Sequence, residues 1–290
     1  MTGIINVNKP SGWTSQDVVA KLRGILREKR VGHGGTLDPM ATGVLPVFIG
    51  RATRAVQFFE SADKEYIAGL RLGETTDTQD TTGTVLTKCE ANVTLAGLEA
   101  ALENFRGVQM QTPPMYSAVK VGGKKLYEIA RRGGEVERTP RMIVVSKAVI
   151  LGGEKADFTV HFEVSKGTYI RTLCADIGET LGVGGVMSSL VRTRAGEFRL
   201  EYSYTLEQIG QAMNNGGLGE ILLPVDSVFA SLPSVKADKT LEYKIRNGQP
   251  VSFPDFDDGR YRIYAPDGDF IALAEIYRSK AQILKSFFEV

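Results

Sequence analysis

Residues 31–46 read VGHGGTLDPMATGVLP: a glycine-rich run, a single aspartate ahead of a proline, and then an apolar stretch with the character of a buried strand. Gly32, Gly34 and Gly35 permit positive φ or close approach by another group, and Pro39 biases Asp38 toward extended backbone. Such a loop can project Asp38 from a rigid scaffold. No G-x-G-x-x-G opens a helix here and no G-K-[ST] follows, so neither a dinucleotide fingerprint nor a P-loop is present. Read in isolation, a glycine-rich turn with Asp38 as a turn or cap residue is the plainer interpretation.

Outward from this loop the pattern is a mixture of strands and helices. Ile4 to Val7 reads as a strand ending in the turn Lys9-Pro10-Ser11-Gly12, after which Thr14 or Ser15 caps a helix with Val18, Val19, Leu22, Ile25 and Leu26 on one face. Val44 to Ile49 reads as a buried strand. Tyr66, Ala68, Leu70 and Leu72 alternate, as do Phe158, Val160, Phe162 and Val164. A second helix has Thr94 as cap, Leu95, Leu98, Leu102 and Phe105 as its stripe and Gly107 as its stop. Helical patterns follow at Cys174 to Leu181 and Thr205 to Met213. These elements predict an α+β (mixed α/β) domain with a central mixed, largely antiparallel sheet flanked by helices, not a doubly wound one.

Two segments depart from this character. Residues 111–141 are rich in Pro, Gly, Lys and Arg, with room for one short helix around Leu126 to Arg131. Excursions of that length are usually functional or disordered. From about Leu232 short strands alternate with turns, which predicts a small β unit near the lower size limit for independent stability. The expected division is therefore 1–230 and 231–290.

Composition narrows the function. The chain has 290 residues, 42% apolar and 24% charged, enough for one sizeable core and a small second one. No apolar run approaches the roughly 20 residues needed to span a bilayer, and MTGIINVNKP lacks the form of a signal segment, so a cytoplasmic protein without membrane contact is expected. Cys89 and Cys174 have no cysteine or histidine at ligand spacing, and with only His33 and His161 a metal site needs carboxylates gathered from afar. No metal is expected. The net charge of +1 does not advertise a polyanion binder, but its distribution is uneven. Between Met115 and Lys147 eight Lys and Arg side chains face three glutamates, whereas Ser61 to Met110 is acidic. One basic face for phosphates, or two solvated faces with clustered charge, both fit.

A second dense segment, SKGTYIRTL at 165–173, joins a strand to a helix. Arg171 offers a planar, permanent cation to a carboxylate, and Tyr169 an aromatic face with a polar tip. His33 lies five residues before Asp38, so spacing requires no general base; a phosphate or base contact suits the residue type equally. Asp38-Pro-Met-Ala-Thr42 also matches the D-x-x-x-T pattern of aspartyl-phosphate enzymes, but no second acidic motif follows to hold Mg²⁺.

Several stretches taken in order carry a stronger signal. NKPSGWTSQDVV, GHGGTLDPMATGVLPVFIGRATR, DKEYIAGLRLGETTDTQDTTG, PPMYSAVKVGGKKLYEIARRG, SKGTYIRTL and SLVRTRAGEF resemble, motif by motif, the bacterial TruB-type tRNA pseudouridine synthases over about residues 1–230. The resemblance implies the pseudouridine synthase fold and isomerisation of a uridine in the T arm of tRNA, expected at position 55, without a cofactor. It implies that Asp38 is the catalytic aspartate, that Tyr66 packs on the target base with proton transfer as a further role, and that Arg171 pairs with Asp38. Tyr169 and Leu190 would line the pocket and His33 would contact flipped-out nucleotides. Lys9 and Pro10 would support the catalytic loop. The basic excursion Met115 to Arg138 corresponds to an RNA-gripping insertion, and because Lys120, Lys124, Lys125, Arg131 and Arg132 cluster there without a strong core pattern they are the expected phosphate contacts. The tail resembles a PUA-type RNA-binding β domain. A monomer whose partner is the tRNA T stem-loop is expected, with no obligate protein partner. A guide-RNA-dependent relative shares the aspartate motif, but GHGG, the basic insertion and the lack of a long charged tail favour the stand-alone type.

From its chemistry, such a carboxylate in a water-poor pocket needs a partner. The expectation is that Arg171 holds the Asp38 pKa down.

Overall fold

The computed structural model describes residues 1–288, so the last two residues of the 231–290 segment lie outside the described residues. Nine strands form one sheet: β1 (Gly3–Lys9), β2 (Val31–His33), β3 (Thr42–Ile49), β4 (Lys64–Leu72), β5 (Gly107–Gln111), β6 (Arg141–Glu154), β7 (Asp157–Val164), β8 (Gly185–Ala195) and β9 (Phe198–Arg199). The order is β1-β3-β8-β4-β7-β6-β5, with β2 also on β3 and β9 on β8. Only the β3·β8 pair is parallel. The sheet is mixed and largely antiparallel, as the alternating patterns predict.

Helices cover the sheet where their apolar stripes dictate. In α1 (Ser15–Leu26) the N-cap is Thr14, whose hydroxyl accepts from the Asp17 amide while the Asp17 carboxylate accepts from the Thr14 amide. A capping box of this kind satisfies two otherwise orphaned donors and fixes where the chain turns out of β1. Val18, Val19, Leu22 and Leu26 then pack on Ile5, Val7, Leu45 and Val47. The helix α2 (Leu95–Glu103) buries Leu98 and Leu102, but Leu95 is 54% exposed, beside Ile150 and Leu151 on β6. The expected stripe therefore begins one turn late, because Leu95 is the helix's first residue and reaches past the buried layer. The helix α3 (Ile170–Thr180) starts four residues before the expected Cys174. Arg171 and Thr172 are polar yet buried there, which breaks the periodicity that sequence reading relies on. A helix α4 (Leu206–Asn214) follows, capped by Thr205.

The central strand β8 carried no strand signal in the sequence. Arg192, only 1% exposed, interrupts its apolar run, and bulges at Met187/Ser189 and Arg192/Arg194 shift its register against β4. The excursion also differs from expectation, since a hairpin of Lys120–Val121 and Lys124–Lys125 precedes the helical turn Leu126–Ala130. Gly122 and Gly123, at φ 57° and 82°, supply the two left-handed positions of a tight hairpin turn.

Beyond α4 a five-stranded sheet comprises β10 (Ser234–Lys236), β11 (Val251–Ser252), β12 (Gly259–Tyr264), β13 (Phe270–Tyr277) and β14 (Lys280–Ser286), with α5 (Lys239–Arg246) packed on it. It has its own core of Val235, Ile245, Val251, Phe253 and Ile263. It is not separate, however. Phe270 and Phe287 stack at 5.0 Å, and both lie 6.0–6.1 Å from Phe229, in one apolar cluster with Ile4, Phe48 and Phe198 of the first sheet. Ending the chain at Ser231 uncovers Phe229 and Val225. The midpoint of thermal unfolding is expected to fall by roughly 5–10 °C, at about 2–4 °C per kcal/mol lost. A truncated protein melting with the full chain would show that this shared cluster contributes little.

Candidate active site

The loop between β2 and β3 carries Asp38, and the start of α1 holds it in place. Ser15 Oγ accepts from the Leu37 amide at 2.9 Å, and Gly12 N–H donates to Pro39 O at 2.8 Å. Of the three glycines, Gly35 takes positive φ (89°), and Gly34 is the close approach: a β-carbon there would lie 2.5 Å from the Phe59 ring. Lys9, fully buried, donates to the carbonyls of Pro10, Trp13 and Pro39 at 2.9, 2.6 and 3.2 Å. One ammonium thus ties the β1 turn to the residue that follows Asp38. Burial pulls the Lys9 pKa down to about 8, with Asp38 opposing and Arg192 reinforcing.

Asp38 meets Arg171 through both carboxylate oxygens, Nε to Oδ2 at 2.9 Å and Nη2 to Oδ1 at 3.2 Å. This two-point geometry fixes the carboxylate's plane as well as its distance. The rest of the guanidinium is committed too: Nη2 donates to Tyr116 O at 2.8 Å, Nη1 to Thr78 O at 3.0 Å, and Nη1 lies 3.6 Å from Asp80 Oδ2. Asp80, 4% exposed, accepts from the Thr78 hydroxyl at 2.7 Å and the Thr82 amide at 3.0 Å. Arg171 is 5% exposed, whereas about a third of the Asp38 side chain is open to solvent. Only the carboxylate can reach an incoming molecule.

Pairing does not set the Asp38 pKa as the sequence reading expected. Burial raises it above the ordinary carboxylate value, Arg171 opposes the rise, and Asp80 adds to it. One shared cation divided between two acids is insufficient to reverse desolvation.

Tyr66 on β4 is 8% exposed and Leu190 on β8 6%. The register sets Leu190 opposite Ala68 and Arg192 opposite Tyr66, and both Tyr66 and Leu190 belong to the apolar layer that includes Leu37, Ala41 and Ile170. Tyr169 occupies the N-cap position of α3 without a side-chain cap bond. His33 pairs with Val47 in the sheet, its Nδ1 buried without a partner, and burial together with Arg192 lowers its pKa toward a neutral ring. It shares no hydrogen bond with Asp38 among the described residues. Lys124, Lys125, Arg131 and Arg132 stand apart on the insertion. There Lys125 and Arg131 lie over the Tyr127 ring at 5.5 and 5.3 Å, and Leu126, fully buried, anchors the segment.

Three residues were missed in the sequence. Asp80 sat among the acidic residues of 61–110 with nothing to single it out. Arg192, donating to Val44 O at 2.6 Å and Gly35 O at 3.1 Å, and Gln111, described below, became visible only when the sheet closed. Glu65, His161 and Glu163 are the group among the described residues whose potential ligand atoms converge, brought together by the β4·β7 register. Their carboxylates are already paired, Glu65 with Arg194 and Glu163 with Lys147 at 3.3 Å.

The chain matches TruB family pseudouridylate synthase (N terminal domain) over residues 23–170. The tRNA pseudouridylate synthase B C-terminal domain follows at 171–230, and the pseudouridine synthase II TruB C-terminal region at 233–280. The chain belongs to the TruB family of pseudouridylate synthases. Proteins named tRNA pseudouridine synthase B are 46% identical in Bacillus cytotoxicus, over 86% of this chain and 83% of that protein, and 41% identical in Dehalococcoides mccartyi, over 95% and 92%. A solved H/ACA ribonucleoprotein bound to a substrate RNA containing 2′-deoxyuridine superposes with a TM-score of 0.77 at 26% identity, covering 99% of this chain and 85% of that one. The TruB-type match therefore spans both sheets, and the family's N-terminal region contains the Asp38 loop, β4 and the insertion. No helix among the described residues is long and apolar enough to cross a membrane.

Proposed function

We propose that this protein isomerises uridine to pseudouridine in the T arm of tRNA, at the position expected to be 55, with residues 1–230 performing the chemistry and 231–290 adding RNA affinity. The observation that carries the reading is the Asp38–Arg171 pair, a partly open carboxylate clamped from behind, on a loop whose Leu37 and Ala41 pack in the same apolar layer as Tyr66 and Leu190, in a chain of this family. The identity of 46% to proteins named tRNA pseudouridine synthase B, against 26% to the ribonucleoprotein enzyme, supports a stand-alone enzyme over a guide-dependent one. Incubating purified protein with unmodified tRNA and mapping pseudouridine at single-nucleotide resolution tests it. Product without added guide RNA is expected, and its absence would sink the proposal.

The geometry suits a base taken out of its stack. Extrusion costs a few kcal/mol, and stacking on an aromatic face returns about 1–3 kcal/mol per base. Tyr66 and Tyr169 supply such faces and Leu190 an apolar wall. The reaction breaks an N1-glycosidic bond and forms one to C5 within one nucleotide, so no external donor or redox partner enters the balance. Asp38 acts by adding to the base, adding to the sugar, or abstracting a sugar proton, each of which requires the ionised form. His33, whose pKa burial and Arg192 lower, is the proposed contact to the extruded nucleotides.

Lys124 and Lys125, the second strand of the insertion's hairpin, are the proposed phosphate contacts together with Lys120, Arg131 and Arg132. Replacing Lys124 and Lys125 with alanine is expected to lower the log–log salt slope of tRNA binding by about 1.4–1.8, at 0.7–0.9 per phosphate contact. Filter binding at several salt concentrations measures this. An unchanged slope would move the phosphate surface elsewhere.

A further inference from the structure

Gln111 is the last residue of β5, the point at which the chain leaves the sheet for the basic insertion, and it is 4% exposed. Its amide makes two hydrogen bonds to one distant residue: Oε1 accepts from the Tyr169 amide at 2.8 Å, and Nε2 donates to Tyr169 O at 3.0 Å. The side chain thus pairs with Tyr169 as a neighbouring strand would. Tyr169 stands at the start of α3 in extended backbone, φ −100° and ψ 110°, and Arg171 follows two residues later. A second contact runs the same way, from Arg171 Nη2 to the carbonyl of Tyr116 inside the insertion. The insertion is closed on itself near its root by Arg138 Nη1 donating to Pro113 O at 3.3 Å.

We propose that Gln111 is a positioning residue through which the placement of the insertion sets the pocket, fixing the Tyr169 backbone and, through the first turn of α3, the Arg171 guanidinium that orients Asp38. The inference rests on the pseudouridine synthase reading above. The buried amide accepts from the Tyr169 N–H and shares Tyr169 O with the Leu173 amide, which donates to it at 3.1 Å in the first turn of α3, so movement at the root of the insertion is passed to Tyr169 and into the helix. Asp38 and Tyr169 reach the pocket from different parts of the chain, and the Gln111 and Arg171 bonds join both to the root of the RNA-gripping segment. RNA seated on the insertion therefore stabilises the arrangement that chemistry needs. Displacement of a reacting group by about 1 Å can cost about 100-fold in rate.

The test compares wild type with Gln111→Ala and Gln111→Glu in single-turnover assays at saturating tRNA, with tRNA affinity and thermal midpoint measured alongside. Gln111→Ala is expected to lower the rate constant about 10- to 100-fold while tRNA affinity stays within about twofold. Gln111→Glu adds a readout that a purely structural role in folding would not move. When protonated, the acid accepts from the Tyr169 amide and donates to its carbonyl as glutamine does; when ionised, it places a carboxylate oxygen against that carbonyl. Its rate relative to wild type at the same pH should therefore rise as pH falls. A wild-type rate in Gln111→Ala, a loss confined to tRNA affinity, or a pH-independent ratio in Gln111→Glu overturns the proposal. Wild-type protein that makes no pseudouridine overturns the underlying reading as well, and that outcome is read separately from any variant.

Discussion

Asp38→Asn is expected to lower pseudouridine formation by about 1,000-fold or more while leaving tRNA affinity and folding near wild type. Asparagine preserves the size of aspartate, and its one carbonyl oxygen can accept from either Nε or Nη2 of Arg171 although its NH2 cannot replace the second acceptor; it is neither an effective nucleophile nor a proton acceptor. Stability should hold for a specific reason. Burial raises the Asp38 pKa in the folded protein above its unfolded value, so its contribution to stability is present below the unfolded value and is lost as pH rises through the folded one. At neutral pH the charge opposes folding, and asparagine removes it. Arg171 keeps Asp80, Thr78 O and Tyr116 O as partners. The same shift predicts that wild-type turnover falls on acidification at a pH above the ordinary carboxylate range. Single-turnover rates across pH, with circular dichroism and filter binding at neutral pH, check these points. Wild-type turnover in Asp38→Asn would return Asp38 to the status of a turn residue.

Arg171→Met is expected to lower turnover by about 100-fold or more and to destabilise the protein by roughly 1–3 kcal/mol. Breaking one side of a buried ion pair typically costs about 3–5 kcal/mol. The smaller figure reflects the third of Asp38 that water can reach. Removing the cation leaves Asp38 and Asp80 as neighbouring acids, so the Asp38 pKa rises further and the acid limb of the rate profile moves to higher pH. Arg171→Lys is not conservative at this site. A single ammonium cannot span both Asp38 oxygens while also reaching Thr78 O and Tyr116 O, so this variant should retain part of the pH shift and most of the rate loss. Calorimetry and the pH–rate profile measure the two effects independently. An acid limb that stays in place when the guanidinium is removed would separate Arg171 from the ionisation of Asp38.

The sequence by itself determined much of the frame. Alternation fixed β4 and β7, the apolar run fixed β3, and Thr94, Thr205 and the pair Thr14/Ser15 marked three helix starts, with the structure choosing Thr14 of that pair, because caps and periodicities are local and act before any tertiary contact forms. The glycines and Pro39 around Asp38 announced an exceptional loop, and ordered motifs named the family that the comparisons then supported. Tertiary structure decided what local pattern cannot encode. The central strand β8 was hidden because Arg192, buried by the sheet around it, reads in sequence as a surface residue. The start of α3 was obscured in the same way by Arg171 and Thr172. Asp80 became a partner of Arg171 only when residues 91 positions apart met, and Gln111 joined Tyr169 across 58. The Asp38 pKa also belongs to the fold. Sequence named its cation, but whether desolvation or pairing dominates depends on how much water the closed structure excludes and on a second carboxylate that shares the same guanidinium.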